Sequence, residues 1–131
     1  MITELANKFC PGEKITDTFE WAGNTTIVLN CSGLEHCLDI LNENAQEIFY
    51  QDCISKSSMS LYAEIEGGTL IKHYDDFRIK RGNDRIIISS EDCSFSIFFE
   101  EIAASYRIYF TVSRLTTWIF ETEKGFMKVI L

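Results

Sequence analysis

Glycine-containing turn signals divide most of the chain into short segments, and this spacing constrains the fold more than any other feature. The signals are Gly23-Asn24, Gly67-Gly68, Gly82-Asn83-Asp84 and Glu123-Lys124-Gly125. Each lies between short stretches of β-branched, aromatic or alternating apolar residues, which is the pattern of antiparallel hairpins. The chain is therefore expected to form many short strands joined by tight turns.

The predicted strands contain either apolar residues at every second position or a run of β-forming residues. They are 15–22, 25–31, 61–65, 69–74, 77–81, 85–90, 95–99, 106–113, 117–122 and 126–131. The stretch Phe98–Ala104 is also compatible with a helical turn. Hairpins of this kind pair into an antiparallel sheet, and another element must pack on one face of the sheet to bury its apolar side chains.

One long amphipathic helix is predicted between the second and third strands. Ser32 is a suitable N-cap, and Glu35 completes a capping box three residues later. Apolar residues then recur at helical steps as far as Gln51: Leu34, Leu38, Leu41, Ala45, Ile48 and Phe49. The expected fold is α+β and mostly β, with this helix packed on the sheet. The length of 131 residues suits a single domain, 1–131, that buries its own core.

The charge balance excludes some classes of function. Twelve Lys and Arg residues against twenty Asp and Glu residues give a net charge of −8, which opposes binding to nucleic acid. The first residues do not resemble a secretory signal, and the apolar runs are too short to cross a bilayer. Five irregularly spaced cysteines indicate free thiols. We therefore expect a cytoplasmic protein that does not bind membranes.

No catalytic or metal-binding motif is present. The sequence lacks a nucleophile elbow, a phosphate loop and a dinucleotide fingerprint. A zinc site at His36, Cys37 and Cys31 would need a second pair of ligands, which the sequence lacks. His73 lies near Asp75, which could orient its imidazole, although a polar hairpin end has the same pattern. We expect no enzymatic activity, metal or cofactor; a small enzyme with a scattered site is an alternative.

The negative charge lies in the first half of the chain. Residues 1–66 carry eleven acidic and three basic residues, whereas residues 67–131 carry nine of each. Four of the acids recur at steps of four along the predicted helix, on the face opposite its apolar side. Tyr50 and Asp52 follow them as candidate anchors. This acidic stripe, Glu35, Asp39, Glu43 and Glu47, is either a solvated face or a surface that binds a basic protein.

A basic patch is also predicted on the hairpin at 77–85. It comprises Arg78, Lys80, Arg81 and Arg85, with Lys72 on the preceding strand. Such a patch suits contact with RNA or an acidic surface, but the negative charge of the whole chain opposes nucleic acid. A charged sheet edge that discourages aggregation is the interpretation we favour.

In size, acidity and lack of a catalytic motif, the chain resembles the immunity proteins of bacterial polymorphic toxin systems, including the contact-dependent growth inhibition type. The resemblance implies a monomer or weak dimer that blocks the active site of a cognate toxin, often a basic nuclease. The chain is also similar in length and acidity to type III secretion chaperones, which hold an effector. Those chaperones usually begin and end with helices, whereas Trp118–Leu131 is predicted to be a hairpin here.

Overall fold

The computed structural model describes residues 14–31, 33–65, 67–91, 93–110 and 115–131. Within these residues the chain forms two antiparallel sheets and one α-helix. The predicted class, α+β with mostly β structure, is therefore confirmed. Cys10 and Ser32 lie outside the described residues, as does the predicted strand beyond Phe110 as far as Ser113.

The large sheet contains eight strands. They are β1 (Lys14–Trp21), β2 (Asn24–Cys31), β3 (Leu34–Ile40), β4 (Ser58–Ile65), β5 (Gly68–Asp75), β9 (Ala104–Phe110), β10 (Thr116–Thr122) and β11 (Gly125–Ile130). Their order across the sheet is β1-β2-β3-β9-β10-β11-β4-β5. The small sheet has the order β6-β7-β8, with strands Arg78–Arg81, Arg85–Ser89 and Ser94–Phe98. Phe99–Glu101 adds a 3₁₀ turn, as the sequence allowed.

The helix α1 (Ala45–Ile54) and the small sheet share a core with one face of the large sheet. Phe49 and Cys53 of the helix are fully buried in it. Phe49 packs edge to face against Trp118 and Phe120 of β10, with ring centroids 5.1 and 5.2 Å apart. A second apolar cluster lies on the opposite face of the large sheet, because Ile119 belongs to it whereas its neighbours Trp118 and Phe120 do not.

The long helix predicted over 32–51 is wrong. Leu34–Ile40 is strand β3, which pairs with β2 on one side and β9 on the other. The helix begins only at Ala45, after Asn44 in a left-handed conformation with φ 59°, and extends to Ile54. Leu34 and Leu38 fit a period of two as well as a helical spacing, and pairing with two strands favours the extended form.

The turn between β1 and β2 shows why a glycine is needed there. Trp21 pairs with Asn24, so the two turn residues are Ala22 and Gly23, one position earlier than the sequence signal suggested. Both have positive φ, 47° and 84°, as a type I′ hairpin turn requires. A Cβ atom at Gly23 would lie 2.6 Å from Cγ of Glu43, so a side chain there would collide with the loop before α1.

Candidate functional site

One row of paired residues crosses the whole large sheet on the face that carries α1. In register, it runs Phe19, Thr26, Asp39, Arg107, Trp118, Val129, Leu61 and Lys72. Directly opposed residues in antiparallel strands have neighbouring side chains. The row is apolar where α1 and the small sheet cover it, and polar at Thr26, Asp39 and Arg107 and at its far end, Lys72.

Asp39 and Arg107 form the centre of a hydrogen-bonded network. Arg107 Nε donates to Asp39 Oδ2 at 2.7 Å, and the Thr26 hydroxyl donates to Asp39 Oδ1 at 2.6 Å. The last turn of α1 supplies Asp52, whose Oδ2 accepts bonds from Trp118 Nε1 at 2.8 Å and from Arg107 Nη1 at 3.2 Å. The network therefore joins the helix to strands β2, β3, β9 and β10.

The network holds Arg107 in its charged form. Burial disfavours the guanidinium charge, but Asp39 and then Asp52 outweigh that effect and raise the pKa of Arg107 above its ordinary value. Asp39 is itself 5% exposed, so its carboxylate depends on these partners for the hydrogen bonds that water would otherwise provide.

Beside this network lies a groove of about 590 Å³, which we call the aromatic groove. Its lining residues come from five strands and the helix. They are Phe19, Trp21, Thr26, Cys37, Asp39, Asp52, Arg107, Tyr109 and Thr116. Phe19 is 49% exposed and Tyr109 is 38% exposed, so two large rings remain open to a partner. Exposed aromatic residues beside a partly buried arginine have the composition of interface hot spots.

A second groove, of about 720 Å³, opens at the other end of the helix. We call it the acidic groove. Asn42, Asn44, Phe99 and Ile102 are among its lining residues. The exposed residues Glu43, Glu100 and Glu101 are neighbours of these lining residues in the sequence. None of the three forms an ion pair with a described residue. The charged residues of the lining itself are Glu47 and Arg81, which pair with each other.

The acidic groove lies at the most negative end of the large sheet. The turns and strand ends at this end also carry Glu20, Glu64, Glu121 and Glu123. In the described part of the large sheet, Lys124 is the basic residue at this end. Carboxylates gathered around a concavity raise the local concentration of cations.

The predicted acidic stripe does not form. Asp39 is buried in the network, and Glu35 lies on β3 at the end of the sheet opposite the acidic groove. Glu43 is in the loop before α1, and Glu47 is in the first turn of the helix. A helical repeat of four had placed these residues on one face, whereas a strand alternates its faces and a loop separates Glu43 from Asp39.

The two predicted anchors, Tyr50 and Asp52, lie within the helix rather than beyond it. Arg81 pairs with Glu47, and its guanidinium carbon lies 4.7 Å from the centre of the Tyr50 ring. Asp52 belongs to the Arg107 network. The basic hairpin is therefore partly engaged within the chain, since Arg85 also lies near Asp84, at 3.6 Å.

His73 has the polar neighbours that the sequence suggested. Its Nε2 lies 3.1 Å from Asp75 Oδ1, and its Nδ1 lies 3.0 Å from the Ser60 hydroxyl. The side chains of His73 and Asp75 are 58% and 75% exposed. Water competes for both hydrogen bonds, so we do not base an enzymatic function on this arrangement.

Cys37, Cys53 and Cys93 are free thiols in different surroundings. The pKa of Cys93 is lowered, first by a hydrogen bond from the Tyr74 side chain and then by Ser90 and Lys72. Burial raises the pKa of Cys53, and burial followed by the negative charge of Asp39 and Glu35 raises the pKa of Cys37. Burial also raises the pKa of Tyr74 to about 12.

We expect iodoacetamide to alkylate Cys93 faster than Cys37, and Cys53 slowest, because the thiolate is the reactive form. Digestion with a glutamate-specific protease separates the cysteines, and mass spectrometry then gives each rate near pH 7.5. Denatured protein is the control, in which the three rates should converge. Faster labelling of Cys37 than of Cys93 in the native protein would contradict these environments.

No group of three or more His, Cys, Asp or Glu residues among those described is placed to hold a metal ion. In the same part of the chain, no helix is long and apolar enough to cross a membrane. Comparison with protein families, with curated proteins and with solved structures finds no match to this chain.

Proposed function

We propose that the protein is a non-enzymatic binding protein that captures a basic protein partner at the acidic groove. The observation that carries this proposal is the set of exposed carboxylates at Glu43, Glu100 and Glu101, which are next to lining residues of the groove in the sequence and have no ion-pair partner among the described residues. A cationic side chain that enters the groove would find both the negative field and polar lining groups such as Asn42 and Asn44.

The electrostatics of the whole chain support a partner of this kind. A net charge of −8 attracts a basic protein over distances of about 10 Å at moderate salt. Complementary fields raise association rates from about 10⁵–10⁶ to about 10⁸ M⁻¹s⁻¹ at low salt. Rapid capture suits an inhibitor that must act before its target does damage.

Within this class we propose an immunity protein that occludes the active site of a bacterial toxin, most often a nuclease. The support is the small size, the acidity and the resemblance in composition described above. Nucleases bind phosphate through basic surfaces, so a negative groove competes for the same surface. In this proposal the protein acts in the cytoplasm as a monomer or weak dimer, without a cofactor.

The test is reversal of charge at the acidic groove, with Glu43→Lys, Glu100→Lys and Glu101→Lys combined. Glu91→Lys, combined with Asp75→Lys and Asp76→Lys so that the change of charge is the same, is the matched control, since these exposed acids lie together at the other end of the small sheet. Immobilised wild-type chain is used to capture a partner from the cells that carry the gene. The purified partner is then measured by surface plasmon resonance at several salt concentrations.

We expect the wild type and the control variant to bind one basic protein, and the acidic-groove variant to associate at least about tenfold more slowly at low salt. Co-expression of the chain should also protect cells from the captured protein. Equal association by the acidic-groove variant would overturn the role of the acidic groove. A captured protein that does no harm without this chain would overturn the immunity function.

A further inference from the structure

We infer that the aromatic groove is a second contact site, which receives an arginine side chain of a protein partner. The inference rests on the proposed function in one respect, since both describe a basic partner. It concerns a different surface, at the C-terminal turn of α1 rather than beside its first turn.

Three aromatic rings line the groove, and their number and exposure favour a bound cation. Phe19 and Tyr109 are exposed, and Trp21 is half-buried with its Nε1 already bonded to Thr26 at 2.7 Å. The face of an aromatic ring attracts a cation, and arginine also stacks on such rings as a flat group. Elsewhere in this chain, Arg81 and Tyr50 make a contact of this kind.

The charges that line the groove also favour a cation. Asp39 and Asp52 carry two negative charges against the one positive charge of Arg107, which leaves the network with a net charge of −1. Both oxygens of Asp39 accept short hydrogen bonds within the network. Oδ1 of Asp52 accepts only a 3.4 Å contact from Arg107 among the described residues, so it can accept a further bond from an entering donor.

The raised pKa of the Cys37 thiol agrees with a negative potential in the groove. This thiol lines the groove, and after burial the largest influence that raises its pKa is the charge of Asp39. An entering carboxylate would meet this potential unfavourably, an apolar side chain would leave Asp52 Oδ1 without a donor, and a neutral amide or hydroxyl would bond the oxygen without gaining from the potential. A guanidinium satisfies both the potential and the oxygen, and it costs less to remove from water than an ammonium.

The test uses the indole N–H signals of the isolated ¹⁵N-labelled protein, since the chain has two tryptophans. Trp21 lines the groove, and Trp118 bonds to Asp52 at its base. The probe is Nα-acetyl-arginine amide, compared with the corresponding lysine and glutamate amides at constant ionic strength. We expect a saturable shift of the Trp21 signal with the arginine probe, a weaker response to lysine and none to glutamate.

Phe19→Ala and Tyr109→Ala should each weaken binding of the arginine probe about two- to fivefold. Phe126→Ala is the matched control, because Phe126 is a similarly exposed aromatic residue on β11, away from the groove. All three side chains are exposed, and an unchanged Trp118 signal in the free variants confirms that each one folds.

The two proposals can fail separately. A Trp21 signal that does not respond to the arginine probe, or responds equally to glutamate, overturns the arginine site. Unchanged affinity in both Phe19→Ala and Tyr109→Ala overturns it as well. The combined reversal at Glu43, Glu100 and Glu101 should leave the Trp21 titration within about twofold of the wild type, so loss of the acidic-groove function does not imitate loss of this one.

Discussion

Replacing Phe49 with alanine is expected to lower the free energy of unfolding by about 4 kcal/mol. Phe49 is fully buried where the helix, the large sheet and the 3₁₀ turn meet, with rings of Trp118, Phe120 and Phe99 around it. The substitution removes the transfer free energy of the ring, leaves a cavity and abolishes edge-to-face contacts. A domain of this size has a total stability of about 5–15 kcal/mol, so the loss is a large part of it.

Urea unfolding, followed by tryptophan fluorescence, measures this loss from the midpoint and slope. Ile54→Ala on the same helix is the control, since Ile54 is 50% exposed and should cost less than about 1 kcal/mol. Phe49→Leu should fall between the two. A loss below about 2 kcal/mol for Phe49→Ala, with an unchanged slope, would show that the core is not centred on this ring.

Replacing Arg107 with methionine is expected to cost about 3 kcal/mol at pH 7, because it leaves the buried carboxylate of Asp39 without its charged partner. Among the described residues, Asp39 would then retain only the side-chain bond from Thr26. Asp52 would suffer less, since it keeps Trp118 Nε1 and its side chain is 26% exposed.

A double-mutant cycle separates the charge from the packing. Asp39→Asn removes the negative charge but keeps a side chain of the same shape, so Asp39→Asn should recover at least about 1 kcal/mol when added to Arg107→Met. Both single variants and the double variant are compared by urea unfolding. Additive losses in the double variant would show that Asp39 and Arg107 do not act as a buried ion pair.

The sequence predicts the hairpins well because their information is local. Turn residues and a period of two occur within a few positions of each other, and the strands β1, β2, β6, β7 and β10 match their predictions closely. The prediction of the long helix is wrong because the information that decides it is not local. Residues 34–40 suit both a strand and a helix, and the choice depends on pairing with β9, far along the chain.

The candidate sites were harder to predict than the strands for the same reason. Arg107 and Asp39 are 68 residues apart, and Arg81 and Glu47 are 34 apart, so no spacing along the chain links them. Each arginine pairs with an acid, Asp39 or Glu47, that the helix prediction had placed on an exposed face without a partner. One local signal of the loop between β3 and the helix was available. Asn42, Glu43 and Asn44 are consecutive polar residues, and asparagine readily adopts the left-handed conformation that Asn44 has just before the helix.

The order of strands in the large sheet also bears on how the protein acquires its structure during synthesis. The unit β1-β2-β3 can pair locally, but β3 meets β9 only through residues roughly 70 positions later, as in the pairing of Ile40 with Tyr106. At about 5–20 residues per second, a ribosome needs several seconds to make that interval. The edge of β3 that later pairs with β9 therefore stays open to mispairing in a newly made chain until β9 emerges.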